Sequence, residues 1–403
     1  MKTNELIAAS QKLHDIRNHI ASKYYEVDEF VTCLMLSMIS RTHMIVLGEP
    51  GIAKSAILRE FVAHMDFDQA KGTPYFHIQM GADISPNNIF GAPDIAYFKT
   101  HGIIKRHYKG FLPDAVIAFC SEFYRVSDQV ANSGLLTILN EGEFKNGTET
   151  IKTNLRFFMA DTNFFPKQKD DLDAEETDFK LQALHDRFLA RYHLKPLKDP
   201  DNKVKMILMD DDLTCESRIK LSELMLIQDE LPNIKMSSEI ARSMVTIATQ
   251  LEEKHNISIS PRRLKLSRNL VKASALFEGR THCIPEDLNA LQFSFWQKEE
   301  DIPKVKEVIY ETLDKPGRDA KKYEKVLTSI LDELDRHIEN QKDFPNFDID
   351  KLYKQALSDL MKLIENISTT YKDTIQYPEI KNVLEFIDNT YKRLTNERMA
   401  LNA

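Results

Sequence analysis

The feature that most narrows the fold of this chain is an ordered triplet near residue 50. An apolar run, His43 to Leu47, leads straight into Gly48-Glu49-Pro50-Gly51-Ile52-Ala53-Lys54-Ser55, and Ala56-Ile57-Leu58-Arg59-Glu60-Phe61-Val62 then takes helical spacing. Strand, glycine-bearing loop and helix in that order make a phosphate cradle. Backbone N–H groups and a helix amino terminus converge on anionic oxygens, and a lysine reaches the outer phosphates of a nucleoside triphosphate. Lys54 supplies that cation, and the Ser55 hydroxyl is of the kind that ligates Mg²⁺. Gly48, Glu49, Pro50, Gly51, Ile52, Ala53, Lys54 and Ser55 are therefore the expected ATP-binding residues. Ala53 stands where the usual pattern has its second glycine, a change the loop tolerates if φ there is negative.

A cradle of this kind sits at the edge of a parallel sheet, and the first half of the chain reads that way. Met44 to Leu47, Tyr75 to Met80, Val116 to Phe119, Leu155 to Ala160 and Tyr192 to Leu194 are short strand-like runs separated by longer helical patterns. From about residue 201 helical spacing takes over, as in Leu221, Leu224, Met225 and Ile227. Because 403 residues exceed what one core serves, three parts are expected: an α/β nucleotide-binding domain over 1–200, an all-helical lid over 201–299 and a helical region over 300–403. In the last part Tyr323 to Ile338, Leu352 to Ile367 and Val383 to Leu394 predict a three-helix unit.

A second apolar strand, Val116-Ile117-Ala118-Phe119-Cys120, ends in Ser121-Glu122, where a Walker B pair belongs. In such sites an aspartate holds the waters around Mg²⁺ and the following glutamate polarises the attacking water. Glu122 keeps the base position, but Ser121 replaces the aspartate and brings no charge, so Mg²⁺ is expected to be held less firmly. Asp114 lies before the strand and does not compensate. On these residues alone, Ser121→Asp is expected to raise turnover, and an ATP-gated assembly with little hydrolysis stands as the alternative to a working ATPase.

Composition removes other classes. No stretch approaches the roughly 20 apolar residues that span a bilayer, and the four cysteines lack C-x-x-C spacing, which points to a reduced, cytoplasmic protein. A net charge of −8 argues against a polyanion partner, so nucleic acid is not the expected ligand. The scattered histidines give no metal-ligand spacing and no second hydrolytic centre is expected.

With these segments in place, the chain resembles the MoxR family of AAA+ ATPases, and within it the RavA-like branch, over roughly residues 5 to 300. The resemblance is carried by Gly48 to Ser55, Tyr108-Lys109-Gly110-Phe111-Leu112-Pro113-Asp114-Ala115, Leu135-Leu136-Thr137-Ile138-Leu139-Asn140-Glu141, Leu184-His185-Asp186-Arg187-Phe188, Ser260-Pro261-Arg262-Arg263 and Ala275 to Arg280. It implies an AAA+ P-loop sheet with a helical lid, ATP and Mg²⁺ as cofactors, and a homo-oligomeric ring, expected to be a hexamer. The partner it implies is a protein to be remodelled, often one bearing a von Willebrand factor A domain; a metal-chelatase motor has a similar core. Asn163 resembles sensor 1. Arg187 resembles the arginine finger that enters a neighbour's nucleotide site, with Arg191, one helical turn on, as the alternative. Arg262 resembles sensor 2, expected to reach back to its own subunit's phosphates, with Arg263 adjacent. Pro86 to Gly110 corresponds to the family's helix-2 insert, where Tyr97-Phe98-Lys99 either faces a pore or packs beneath the loop. Asn146-Gly147 predicts a type I′ hairpin ahead of the sensor 1 strand.

Overall fold

The computed structural model describes residues 2–81, 83–166, 181–182, 184–208, 215–340, 349–371 and 377–401. They divide into two compact units, Met1–Ile309 and Tyr310–Ala403. The first opens with helices α1 (Lys2–Lys23) and α2 (Asp28–Ile39), then strand β1 (Met44–Leu47), helix α3 (Lys54–Ala63) and the short strand β2 (Met65–Asp66). Strand β3 (Thr73–Gln79) and the short helices α4 (Pro86–Phe90) and α5 (Ile95–His101) follow, then β4 (Ala115–Ser121), the hairpin β5 (Glu143–Asn146) and β6 (Glu149–Lys152), β7 (Phe157–Thr162), β8 (Ala190–His193) and β9 (Ile219–Lys220).

Five of these strands form one parallel sheet in the order β3-β4-β7-β1-β8. The sequence explains which strands are central. Met-Ile-Val-Leu of β1, Ala-Val-Ile-Ala-Phe-Cys of β4 and all six residues of β7 are buried, and apart from Asp161 and Thr162 they make the continuous apolar runs of strands covered on both faces. Strand β3 alternates instead, and carries Pro74, which lacks a ladder donor and is tolerated because this strand pairs on one side only. All five runs lie where the sequence placed them, with ends moved by a residue or two. Chain reversals at one end of a parallel sheet gather the loops that follow its strands, so residues 48–55, 121–122 and 161–163 meet at the carboxy-terminal edge.

The hairpin also appears, but its turn is displaced by one residue. Asn146 pairs with Glu149 in the ladder, leaving Gly147-Thr148 as the loop, and of those two only Gly147 has positive φ (68°). The Asn146 amide is committed elsewhere: its Oδ1 accepts from the Arg106 N–H at 2.7 Å and its Nδ2 donates to the Arg106 carbonyl at 3.1 Å. Those bonds, with Lys105–Glu149 at 2.6 Å, fasten the 91–107 segment to the hairpin.

The helices after β9 cover the amino-terminal ones. Ser260 caps Pro261–Phe277 by accepting from the Arg263 N–H, with Pro261 in the first turn. That helix holds α1 through Ser10 Oγ, which donates to the Leu276 carbonyl at 2.9 Å, and through His14, stacked on Phe277 at 3.9 Å.

The second unit is a bundle of Lys315–Asn340, Ile349–Thr370 and Pro378–Leu401. Each helix buries a seven-residue series: Ala320, Leu327 and Leu334; Tyr353, Leu360 and Ile367; Ile380, Ile387 and Leu394. Such a repeat keeps one seam of each helix facing its neighbours. Tyr371–Asp319 (2.7 Å) and Arg398–Asp350 (2.6 Å) tie the end of one helix to the start of another, so successive helices run antiparallel. Leu360 is fully buried in this core. Leu360→Ala is expected to lower the stability of the unit by about 2–5 kcal/mol, read by chemical denaturation with circular dichroism, while nucleotide binding by the full chain persists.

Candidate functional site

At the carboxy-terminal edge the loop Gly48–Ser55 wraps from β1 into α3. Its two glycines have different reasons: a Cβ on Gly48 would lie 2.5 Å from Ile52 Cδ1 and 2.8 Å from the Leu194 carbonyl oxygen, whereas Gly51 has open space around it but a φ of 83°. Ala53 departs from expectation. Its φ is +65°, in the left-handed region, so the alanine is retained against strain instead of escaping it through a negative φ. Lys54 and Ser55 then fall in the first turn of α3. The Lys54 ammonium is buried; it donates to the Gly48 carbonyl, lies 3.4 Å from the Thr162 carbonyl oxygen and stands 3.7 Å from Asp161 Oδ2.

Ser121 closes β4, and Glu122 after it turns into the left-handed region at φ 54°. The Glu122 N–H donates to Asp161 Oδ1 at 2.9 Å. Glu122 Oε2 is buried without a hydrogen-bond partner among the described residues, although Arg125 Nε lies 3.3 Å away. Asn163, just past β7, is exposed beside the start of the loop, where the Gly48 N–H bonds the Thr162 carbonyl at 3.0 Å. The structure thus brings Lys54, Ser55, Ser121, Glu122 and Asn163 to one edge. Asp161 joins them, and sequence reasoning passed over it because it read Met159 to Asn163 only for its terminal asparagine. The signal was an acid in a strand otherwise apolar up to that point. Burial pushes the Asp161 carboxyl above its ordinary range, opposed by the Glu122 N–H and by Lys54. Asp114 is occupied at the other end of β4, held by Lys109 at 2.9 Å and by Thr73 Oγ1 at 3.0 Å.

The donor set fits Mg-ATP. A loop with a tightly packed Gly48 and a left-handed Gly51 offers N–H groups to phosphate, Lys54 offers a cation and Ser55 a hydroxyl. Asp161 and Glu122, whose Oε2 has Arg125 at 3.3 Å, offer carboxylates on the same edge.

The arginines lie elsewhere. Arg41, Arg156, Arg187, Arg262 and Arg263 line one cavity of about 670 Å³ at the amino-terminal edge of the sheet, beside His43 before β1 and Leu155 before β7. Arg187 is half-buried, and its Nε has no partner among the described residues. Arg262 is exposed, one residue before Arg263, whose buried guanidinium donates to the carbonyls of Leu189 (3.3 Å) and Ser294 (2.9 Å). Two expectations change. Arg191 is not one helical turn from Arg187 but within β8, fully buried, donating to the carbonyls of Trp296 (2.9 Å), Phe188 (3.2 Å) and His185 (3.4 Å), and it cannot project from the subunit. Arg262 does not face the loop of its own chain. It shares the Arg187 cavity, and the four-residue β1 separates that cavity from Gly48 by roughly 13 Å.

Helix α5 presents Phe98 at 45% exposure, so packing of that ring beneath the insert is not what occurs; Tyr97 is half-buried against His101 (4.1 Å) and Lys105 (4.7 Å). Among the histidines, His19 and His64 do come together with Glu60, their ligand atoms within 4.8 Å of one another. Lys23 already pairs with Glu60 at 2.9 Å and His64 Nδ1 bonds the Glu60 carbonyl at 2.8 Å, so the cluster is an ion-paired tie between α1 and α3. No helix among the described residues is long and apolar enough to cross a membrane.

Comparison with known proteins agrees with this geometry. Residues 11–235 match the family described as the MoxR domain in the MoxR-vWA-beta-propeller ternary systems, and residues 239–309 match an AAA lid domain. The chain is similar to two uncharacterized proteins of Methanocaldococcus jannaschii: MJ0079, at 28% identity over 94% of both chains, and MJ0812, at 26% over 90% of both. A structural protein of Acidianus two-tailed virus, ORF618, is 27% identical over 38% of this chain and 26% of its own length. The crystal structure of a candidate ATPase from Cytophaga hutchinsonii shares the fold, with a TM-score of 0.57 and 16% identity over 77% of this chain and 96% of that one.

Ala53→Gly is expected to stabilise the protein by about 0.5–1 kcal/mol, since glycine adopts the left-handed region without strain. ATP affinity should be retained. Thermal melting and calorimetric titration check the two halves of that expectation.

Proposed function

We propose that this chain, which belongs to the MoxR family of AAA+ ATPases, binds Mg-ATP at Gly48–Ser55 and hydrolyses it in a ring that remodels or assembles a partner protein. The observation that carries the reading is the separation of chemistries: phosphate-binding groups at one edge of the sheet, Arg187 and Arg262 together at the other. Neither arginine serves its own subunit's nucleotide from there, whereas a neighbour's triphosphate seated in the arginine-lined cavity would meet both. Within a subunit, Lys54 holds the outer phosphates, Ser55 and Ser121 face the metal, Glu122 takes a proton from the attacking water and Asn163 orients it. When bound, Mg²⁺ supplies charge neutralisation on the phosphate oxygens. Arg187 and Arg262, supplied in trans, stabilise the charge that develops on transfer. Such a head-to-tail contact generates a ring where its rotation closes on itself, and a closed ring of six copies is our reading.

The family description names ternary systems that also contain a vWA component and a β-propeller. On that ground we take a vWA-bearing protein as the partner. The exposed Ile95, Phe98 and Ile104 of the hairpin-braced insert are its candidate contact, or the lining of the ring pore. No step of this reading requires the RavA-like branch. The division we propose is 1–200 for nucleotide binding, 201–299 for the helical lid and 300–403 for the helical region that carries the bundle. Free thiols at Cys33, Cys120, Cys215 and Cys283 suit a cytoplasmic setting. Ser121 favours a second reading, a ring gated by ATP with little turnover; a native rate equal to that of Glu122→Gln would establish it in place of the first.

Lys54→Ala is expected to abolish ATP binding in calorimetry, and Arg187→Ala to lower turnover by about 10³-fold or more while leaving binding in place. Mixing the two variants tests the trans arrangement. Lys54→Ala subunits should lend Arg187 to intact sites on Arg187→Ala neighbours and restore part of the activity. Mixtures that stay as inactive as either variant alone, in rings shown by light scattering to contain both, would overturn it.

A further inference from the structure

Ser121 leaves the magnesium shell one charge short, and the structure places a carboxylate one strand away. Strand β4 runs beside β7 in the register Ile117↔Phe157 to Cys120↔Ala160, so the next step sets Ser121 level with Asp161. Partners in a parallel ladder project from the same face. On its other side β7 pairs with β1, with Asp161 opposite Val46, two residues before Gly48. An acid at 161 therefore stands closer to the phosphate loop than an acid at 121 would. We propose that Asp161 performs the task of the missing Walker B aspartate, holding with Ser55 the Mg²⁺ that arrives with ATP, so that the acid of this site has moved from β4 to β7. The inference rests on the nucleotide-binding reading above.

Three observations carry it. Asp161 touches both halves of the machinery: Oδ2 lies 3.7 Å from the Lys54 ammonium, and Oδ1 accepts from the backbone N–H of Glu122 at 2.9 Å. Its residue is only 8% exposed, inside a strand whose other residues up to 160 are apolar, and a carboxylate is costly there unless a cation answers it. The cation beside it is Lys54, which phosphate oxygens claim once nucleotide binds. Asp161 then needs a replacement, and a divalent ion accompanying the triphosphate provides it without moving the strand. The Glu122 contact adds a positioning role, since it fixes the left-handed turn that aims the proposed base.

This changes what Ser121→Asp should do. With Asp161 alongside, the substitution sets two carboxylates on one face of adjacent strands, where like charges raise one another's pKa. The single variant gains nothing, and the gain expected from the sequence appears only when Asp161 is neutralised as well.

The test is Mn²⁺ retention by the complex with the non-hydrolysable analogue AMP-PNP, followed by electron paramagnetic resonance, beside AMP-PNP affinity measured by calorimetry in EDTA. Asp161→Asn is expected to lose Mn²⁺ affinity by about tenfold or more while its metal-free nucleotide affinity stays within about threefold of native. The metal-free arm is needed because Asp161→Asn also leaves the buried Lys54 ammonium without its carboxylate, a structural effect separate from metal binding. Ser121→Asp with Asp161→Asn should recover Mn²⁺ affinity to within about threefold of native, and Ser121→Asp alone should not exceed native. Unchanged Mn²⁺ affinity in Asp161→Asn, or a double variant no better than that single one, would overturn the proposal and leave Asp161 as a latch on Lys54. If the native protein binds no AMP-PNP with or without metal, the nucleotide-binding reading fails instead.

Discussion

The position of β7 between β1 and β4 is the constraint on which the chemistry depends. Strand β1 delivers the phosphate loop and β4 delivers Glu122, yet the two do not pair with each other. They are held at a fixed separation by the intervening strand, and the atoms that bridge the gap all belong to it: the Thr162 carbonyl accepts from Gly48 N–H, and Asp161 reaches Lys54 on one side and Glu122 N–H on the other. Buried packing makes that spacing rigid, because Phe157 to Ala160 are apolar and enclosed on both faces. A side chain at the end of β7 is therefore within reach of both functional loops, which no residue on β4 or β1 alone can match.

The arginines divide into two kinds on the same physical basis. Arg191 and Arg263 spend their guanidinium donors on backbone carbonyls at 185–189 and 294–296, and so clamp the lid helix Pro261–Phe277 to the approach of β8. Burying them is tolerable because those carbonyls answer them, with Asp186 also 3.7 Å from Arg191. Arg187 and Arg262 sit next to these clamps yet make little use of the same carbonyls. Arg262 lies in the first turn of a helix, where a cation is disfavoured by the helix dipole. Two cations held beside a rigid clamp, at a cost to the fold, are what the trans role proposed above requires.

Much of this was legible in the sequence, and the lapses share a cause. The five sheet strands stand out as short apolar runs and the three long carboxy-terminal helices by their periodicity, and the phosphate loop declares itself by order as well as composition. What failed to read were properties set by neighbours distant in the chain. The sign of φ at Ala53 depends on how the loop closes over α3. The hairpin turn slipped by one residue because Asn146 was needed to hold Arg106, 40 positions earlier. Arg191 looked like a helix-surface residue because Leu184 to Arg187 continues helically to the eye, yet the backbone enters β8 at Ala190. Asp161 was overlooked for the same reason: its partners, Lys54 and Glu122, are brought to it only by strand order.

That order also explains why a serine at 121 can coexist with an intact glutamate at 122. Glu122 enters a left-handed turn whose support does not come from residue 121. The turn persists at φ 54°, secured by a hydrogen bond from its own N–H to the Asp161 carboxylate. An acid at 121 would compete for the same space and charge, so the two positions behave as one site with a single carboxylate to place. Shifting it to β7 keeps the total charge near the triphosphate the same and brings the acid one strand closer to Lys54. On our proposal, the serine at 121 and the acid at 161 are one arrangement seen from two strands.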